Sequence, residues 1–134
     1  MNGYLLDTNT CIEYLRRSNS RLVARIEKAR RRRVRLCSIV VSELYYGAHC
    51  SSDQAGNVAV IDELLETLIS LQFDDRAVRN FGQLRRTLES TGSIIGPFDL
   101  QIAPIALAND LTVVTHNISE FTRVPGLAVE DGQS

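Results

Sequence analysis

Four side chains suited to holding a hard cation, Asp7, Glu43, Asp99 and Asn117, recur where an apolar run gives way to a polar break or a helix start. Asp7 closes the run Tyr4-Leu5-Leu6, and Asp99 opens a long apolar stretch. Glu43 falls about one turn inside a helical pattern. Asn117 follows the run Leu111-Thr112-Val113-Val114-Thr115. Carboxylates that converge without a matching Lys or Arg repel one another, which raises their pKa values unless a cation sits between them. Oxygen donors of this kind select Mg²⁺ or Mn²⁺, and the hydroxyls of Thr8 and Thr115 are available behind the ligands or toward bound water. The chemistry implied is metal-assisted phosphodiester hydrolysis, in which the cation activates water and neutralises developing charge. Each residue also has a plainer job: Asp7 as a helix cap, Glu43 as an exposed helix residue, Asp99 as a complement to a helix dipole. Their shared occurrence at strand ends favours one common site.

The elements that must position these residues follow from apolar periodicity. The run 4–6 reads as a buried strand, and Thr8-Asn9-Thr10 opens a helix that carries Cys11, Ile12 and Leu15 and ends near Ser18-Asn19-Ser20. Asn9 shapes the loop after Asp7. Ser20 is placed to cap a second helix with the stripe Leu22, Val23, Ile26 and Ala29. A strand over 34–38 precedes a helix over 39–48, entered by Ser38. A polar loop over 51–56 leads to a long helix with Val58, Ile61, Leu64, Leu65 and Leu68, then a short strand over 69–73 and a helix over 76–88. Gly92 and Gly96-Pro97 break the chain before a buried helix beginning at Phe98, in which Pro104 predicts a kink. A central strand over 111–115 and a last one over 127–129 complete the pattern, and the tail 131–134 reads as frayed. Alternating strands and helices predict a central, mostly parallel sheet of about four to five strands flanked by helices in three layers, with the polar residues along its carboxyl edge.

The 134 residues, 44% hydrophobic and 23% charged, suit a single folded domain over 1–134. No apolar run reaches the ~20 residues of a membrane span and no export signal is evident, so a cytoplasmic protein is expected. Cys11, Cys37 and Cys50 read as free thiols; the spacing of Cys37, Cys50, His49 and His116 does not support zinc. The net charge of -1 conceals a cationic segment: residues 16–35 hold ten Lys and Arg against the single acid Glu27. Arg16, Arg17, Arg30, Arg31, Arg32 and Arg33 therefore point to a polyanion or an acidic partner rather than to a merely solvated face. With Lys28 as its only lysine, the chain lacks the late Lys of an acyl-phosphate receiver. Asn9 replaces the second carboxylate of a dehalogenase-type phosphatase, and there is no Walker loop.

The strings Leu6-Asp7-Thr8-Asn9, Ser42-Glu43-Leu44-Tyr45-Tyr46-Gly47, Gly96-Pro97-Phe98-Asp99-Leu100-Gln101-Ile102-Ala103 and Thr115-His116-Asn117-Ile118-Ser119-Glu120-Phe121 resemble, in order, the motifs of PIN-domain ribonucleases. The likeness runs nearly the whole length and is closer to the VapC toxins of bacterial toxin-antitoxin pairs. It implies a PIN-like fold and a Mg²⁺- or Mn²⁺-dependent endoribonuclease. Such enzymes are often homodimers, cut structured RNA such as tRNA, and are held inactive by a small VapB antitoxin. Residue by residue, Asp7, Glu43 and Asp99 fall on the three acidic metal positions. The fourth, acidic in some members, is Asn117, and Glu120 a turn later is the alternative source of a carboxylate. The competing expectation is a catalytically weak or inactive PIN-fold module that binds RNA or protein through the cationic segment.

If that segment faces RNA phosphates, replacing Arg30, Arg31, Arg32 and Arg33 by Gln flattens the salt dependence of RNA binding, measured by fluorescence anisotropy. Each lost phosphate contact removes about 0.7 from the slope of log affinity against log salt. An unchanged slope assigns these arginines to a protein partner or to solvent.

Overall fold

Strands β1 (Tyr4–Leu6), β2 (Val34–Cys37), β3 (Ile69–Leu71), β4 (Thr112–Val114) and β5 (Val129–Glu130) form one sheet in the order β3-β2-β1-β4-β5, parallel throughout. The computed structural model describes residues 3–133, without the side chains of residues 30–32. Among the described residues the sheet is flanked by α1 (Thr8–Arg16), α2 (Ser20–Arg33), α3 (Ser38–His49), α4 (Gln54–Thr67), α5 (Asp75–Ser90), α6 (Asp99–Ala108) and α7 (Ile118–Phe121). None of these helices is long and apolar enough to cross a membrane.

The strand order has a functional consequence. The chain steps outward from β1 through β2 to β3, then returns across the sheet to lay β4 and β5 on the other side of β1. That reversal puts a crevice outside the carboxyl ends of β1 and β4, the position at which open α/β sheets hold ligands. Leu6 pairs with Val114, so Asp7 and Thr115 leave the sheet side by side.

The sheet interior is aliphatic: Leu5, Leu36 and Val113 are fully buried, because strands covered on both faces have no polar side to present. α6 is apolar all round, with Ile102, Ala103, Ile105 and Ala106 buried. It stays helical through Pro104, where a kink is expected from sequence. The proline ring is itself among the fully buried side chains, so packing offsets the lost backbone bond. The cysteines are free thiols. Burial pushes Cys11 up to about 12 and Cys37 up to about 11, so neither is a ready nucleophile.

Several boundaries differ from the sequence expectation for local reasons. Asn19, not Ser20, caps α2, its Oδ1 accepting from the Leu22 amide at 3.0 Å. Asp53 accepts from the Gly56 amide at 3.1 Å and draws α4 back to Gln54, into the expected loop. The tail expected to fray is held as far as Gln133. Arg25 donates to the carbonyls of Asp131 and Gly132, Asp131 meets His116 at 3.0 Å, and Gln133 donates to Glu13. Ser134 lies outside the described residues.

Gly3 makes the entry to β1 possible. Its φ is +121°, and a Cβ there would stand 2.4 Å from the Arg33 carbonyl oxygen, on backbone that cannot yield. Gly92, at φ +69°, faces open space. Gly3→Ala is therefore expected to cost about 2–3 kcal/mol in urea denaturation and Gly92→Ala only about 1 kcal/mol. Equal losses would contradict the close approach of β1 and β2 at this point.

Candidate metal centre

Asp7 performs two jobs through its two oxygens. Oδ1 accepts from the Thr10 amide at 2.9 Å and caps α1, while Oδ2 accepts from Thr115 Oγ1 at 2.5 Å. The side chain is only 6% exposed, so these donors fix its orientation. Each carboxylate oxygen has a second lone pair, so capping does not exhaust its capacity to bind a cation. The cap and the ligand readings of Asp7 are therefore compatible.

The other polar residues arrive from separate elements. Glu43 projects from α3, and its Oε1 accepts from Thr8 Oγ1 at 2.6 Å, which ties it to the start of α1. Asp99 lies in the first turn of α6, where the helix dipole favours an anion. Asn117 Nδ2 donates to Asp99 Oδ2 at 3.3 Å and also to Glu120. Glu120 accepts in addition from the Gly96 amide. The Asn117 backbone is held in turn by Thr115 Oγ1 at 2.8 Å.

Asp7, Thr8, Asn9, Glu43, Asp99 and Asn117 line one cavity of about 240 Å³ together with Gly96, Pro97 and Phe98. Thr115 and Glu120 touch this lining by hydrogen bonds from behind. Arg17 and Arg33 stand elsewhere. Arg17 pairs with Glu27 at 3.6 Å, and Arg33 lines a larger cavity beside α2 with Arg25 and Lys28. The side chains of Arg30, Arg31 and Arg32 lie outside the described residues. His116 faces Glu13 and Asp131, away from the cavity.

The electrostatics of the cavity suit a cation. Burial pushes the Asp99 carboxyl up to about 6, and the carboxylates of Glu120, Asp7 and Glu43 add to the rise, against a smaller opposing pull from the Asn117 amide. A carboxylate raised by its like-charged neighbours regains its charge when a divalent ion joins them. The donor set is all oxygen or amide, the chemistry of Mg²⁺ and Mn²⁺ rather than of softer metals. Among the described residues no three acidic, His or Cys side chains are already drawn together as a metal cage. Each carboxylate is instead held by a neutral donor on its own side of the cavity, the arrangement that mutual repulsion favours.

With this geometry established, the chain can be set beside known proteins. The PIN domain profile matches residues 4–127. The tRNA(fMet)-specific endonuclease VapC of Salmonella typhimurium is 37% identical over 98% of both chains. The DNA-bound VapBC structure from the same organism superposes with a TM-score of 0.91 at 36% identity, covering 98% of this chain and 99% of that one. VapBC2 of Rickettsia felis, bound to a DNA fragment from its promoter, gives 0.87 at 35% identity, covering 95% and 96%. The chain belongs to the PIN-domain family and, within it, to the VapC ribonucleases.

Sequence reasoning did not single out Gly96, Pro97 and Phe98 as cavity wall. The available signal was an aromatic residue directly before the acid that opens an otherwise buried helix.

The raised Asp99 carboxyl has a thermodynamic signature. Its folded-state pKa lies above the unfolded value, so the charged form is disfavoured on folding and the penalty is fully present above about pH 6. Without metal, Asp99→Asn is expected to melt a few degrees higher than the wild-type chain at pH 7.5. The difference should vanish as the pH falls toward 4. Adding Mg²⁺ at pH 7.5 should raise the wild-type melting temperature and leave the variant unmoved. A pH-independent difference, or equal stabilisation of both proteins by Mg²⁺, contradicts the electrostatic description.

Proposed function

We propose that this chain, acting as a single domain, is a Mg²⁺- or Mn²⁺-dependent endoribonuclease that hydrolyses phosphodiester bonds in structured RNA. The observation that carries the reading is the gathering of Asp7, Glu43 and Asp99 around one cavity at the β1/β4 crevice, in a chain of VapC ancestry. Transfer RNA is the foremost candidate substrate, since the Salmonella relative is named for tRNA(fMet). Such an activity belongs in the cytoplasm. Solved relatives are VapBC complexes, which supports a small VapB-type antitoxin as the partner that restrains it. The toxin unit in this reading is a homodimer of the chain.

In this reading Asp7, Glu43 and Asp99 hold the cation, and Asn117 completes the site from the β4 side. Glu120 is either a further ligand or, through Asn117, the group that orients it. When bound, a divalent cation offsets the phosphate charge and lowers the pKa of water. Thr115 and the Thr10 amide keep Asp7 in one orientation, and Thr8 does the same for Glu43. Asn117 offers Asp99 a donor without a further negative charge. His116, held between Glu13 and Asp131, has no part in the proton chemistry.

Purified protein should cut total tRNA with Mg²⁺ or Mn²⁺ and lose all cutting in EDTA. Asp7→Asn and Asp99→Asn should each lower the cleavage rate by about 100-fold or more, the scale of losing one electrostatic element of an active site. RNA affinity should stay within a few-fold. Cutting that survives EDTA, or full activity in both variants, contradicts the mechanism. RNA binding without cleavage under any metal condition favours the alternative of an inactive PIN-fold binding module.

A further inference from the structure

The cavity has one wall that the metal chemistry does not use. Phe98 stands directly before Asp99 and is 49% exposed, a large apolar side chain left open at the entry to a helix whose residues from Ile102 to Ala106 are buried. Among the described residues it is the one aromatic side chain in the lining. It has no place among the hydrophobic residues that pack on the core.

Its backbone is nevertheless rigid. Phe98 has helical dihedrals of -74° and -41°, and its carbonyl accepts from the amides of Gln101 and Ile102 at 3.0 and 2.9 Å. Pro97 restricts the preceding residue and accepts from Gln101 Nε2 at 3.1 Å. Gly96 is fixed by the Glu120 carboxylate and by the Leu100 amide, at 2.9 Å for the latter. An exposed ring on a fixed backbone loses little freedom when it gains a flat partner.

The occupant follows from continuity with the carboxylate site. A phosphodiester at the acidic end of the cavity carries a nucleoside on each side, and the neighbouring wall presents an aromatic face rather than a set of base-reading donors. Aromatic rings receive unpaired bases by stacking and cannot reach those still paired within a helix.

We propose that Phe98 is the stacking platform for an unpaired nucleobase flanking the scissile phosphate, so that the site takes RNA at positions where bases are splayed out. This rests on the ribonuclease reading above. Phe98 binds substrate and takes no part in bond cleavage. Stacking tolerates any base, so it selects for an unpaired nucleotide rather than for a sequence.

The test uses the full chain and RNA hairpins carrying 2-aminopurine on either side of the cut position, mapped first with wild-type protein. Binding is followed in an Asp7→Asn background, with Mg²⁺, by anisotropy and by the quenching of 2-aminopurine that stacking causes. Phe98→Ala should weaken binding about tenfold and abolish quenching on one side of the cut. Phe98→Trp should retain both, and Phe98→Leu should restore neither. Because Phe98 is not part of the hydrophobic core, all three should melt within a few degrees of the parent protein, which separates stacking from misfolding. Unchanged affinity and quenching in Phe98→Ala overturns the proposal. So does full rescue by Leu, which would make Phe98 an apolar contact for a protein partner. If the wild-type chain cuts no RNA from a total cellular pool, the ribonuclease reading falls first, and the stacking role with it.

Discussion

The pairing of β1 with β4 is the constraint on which the site depends. Residues more than a hundred apart in sequence are brought into register, Leu6 against Val114, and the next residue of each strand leaves the sheet at the crevice. Thr115 then donates to Asp7 at 2.5 Å and supports the Asn117 backbone with the same hydroxyl. A shift of one residue in this pairing would turn Thr115 to the opposite side of the sheet and leave Asp7 without its second donor. The buried aliphatic side chains of Leu5 and Val113 hold the register, so hydrophobic packing underwrites the polar geometry.

Around that anchor, the acidic residues form a cluster of like charges. Asp99 is raised by burial and by three other carboxylates, and among the described residues the opposing influence is the neutral Asn117 amide. Such a cluster costs stability, and neutral donors limit the cost: Thr8 for Glu43, Thr115 and the Thr10 amide for Asp7, Asn117 for Asp99 and Glu120. These bonds leave carboxylate lone pairs available while preventing the acids from turning outward. The VapC relationship agrees with this reading of the donors, since PIN-domain ribonucleases act on a polyanion.

Much of this was legible before any coordinates. Short apolar runs ending on Asp7 and Asn117 mark strand exits because a buried parallel strand tolerates no polar break, and alternation with amphipathic helices forces a parallel sheet. What stayed hidden is set by long-range contact. Nothing local in Asp131, Gly132 and Gln133 says that Arg25, His116 and Glu13 will hold the tail in place. Asn19 and Ser20 are both competent caps, and geometry alone separates them. Asn117 and Glu120 read in sequence as alternatives for one position. In the fold they are hydrogen-bonded to each other, and the question becomes how the pair acts together.

The proposed cation site is formed by these carboxylates together at the β1/β4 crevice. A crystal of the wild-type chain soaked in Mn²⁺ tests it most directly through the anomalous difference map. A peak is expected within the cavity at about 2.0–2.3 Å from oxygens of Asp7, Glu43 and Asp99, the range of hard-cation coordination. An Mn²⁺ peak bound elsewhere, or none in a protein that cuts RNA under the same conditions, would contradict it.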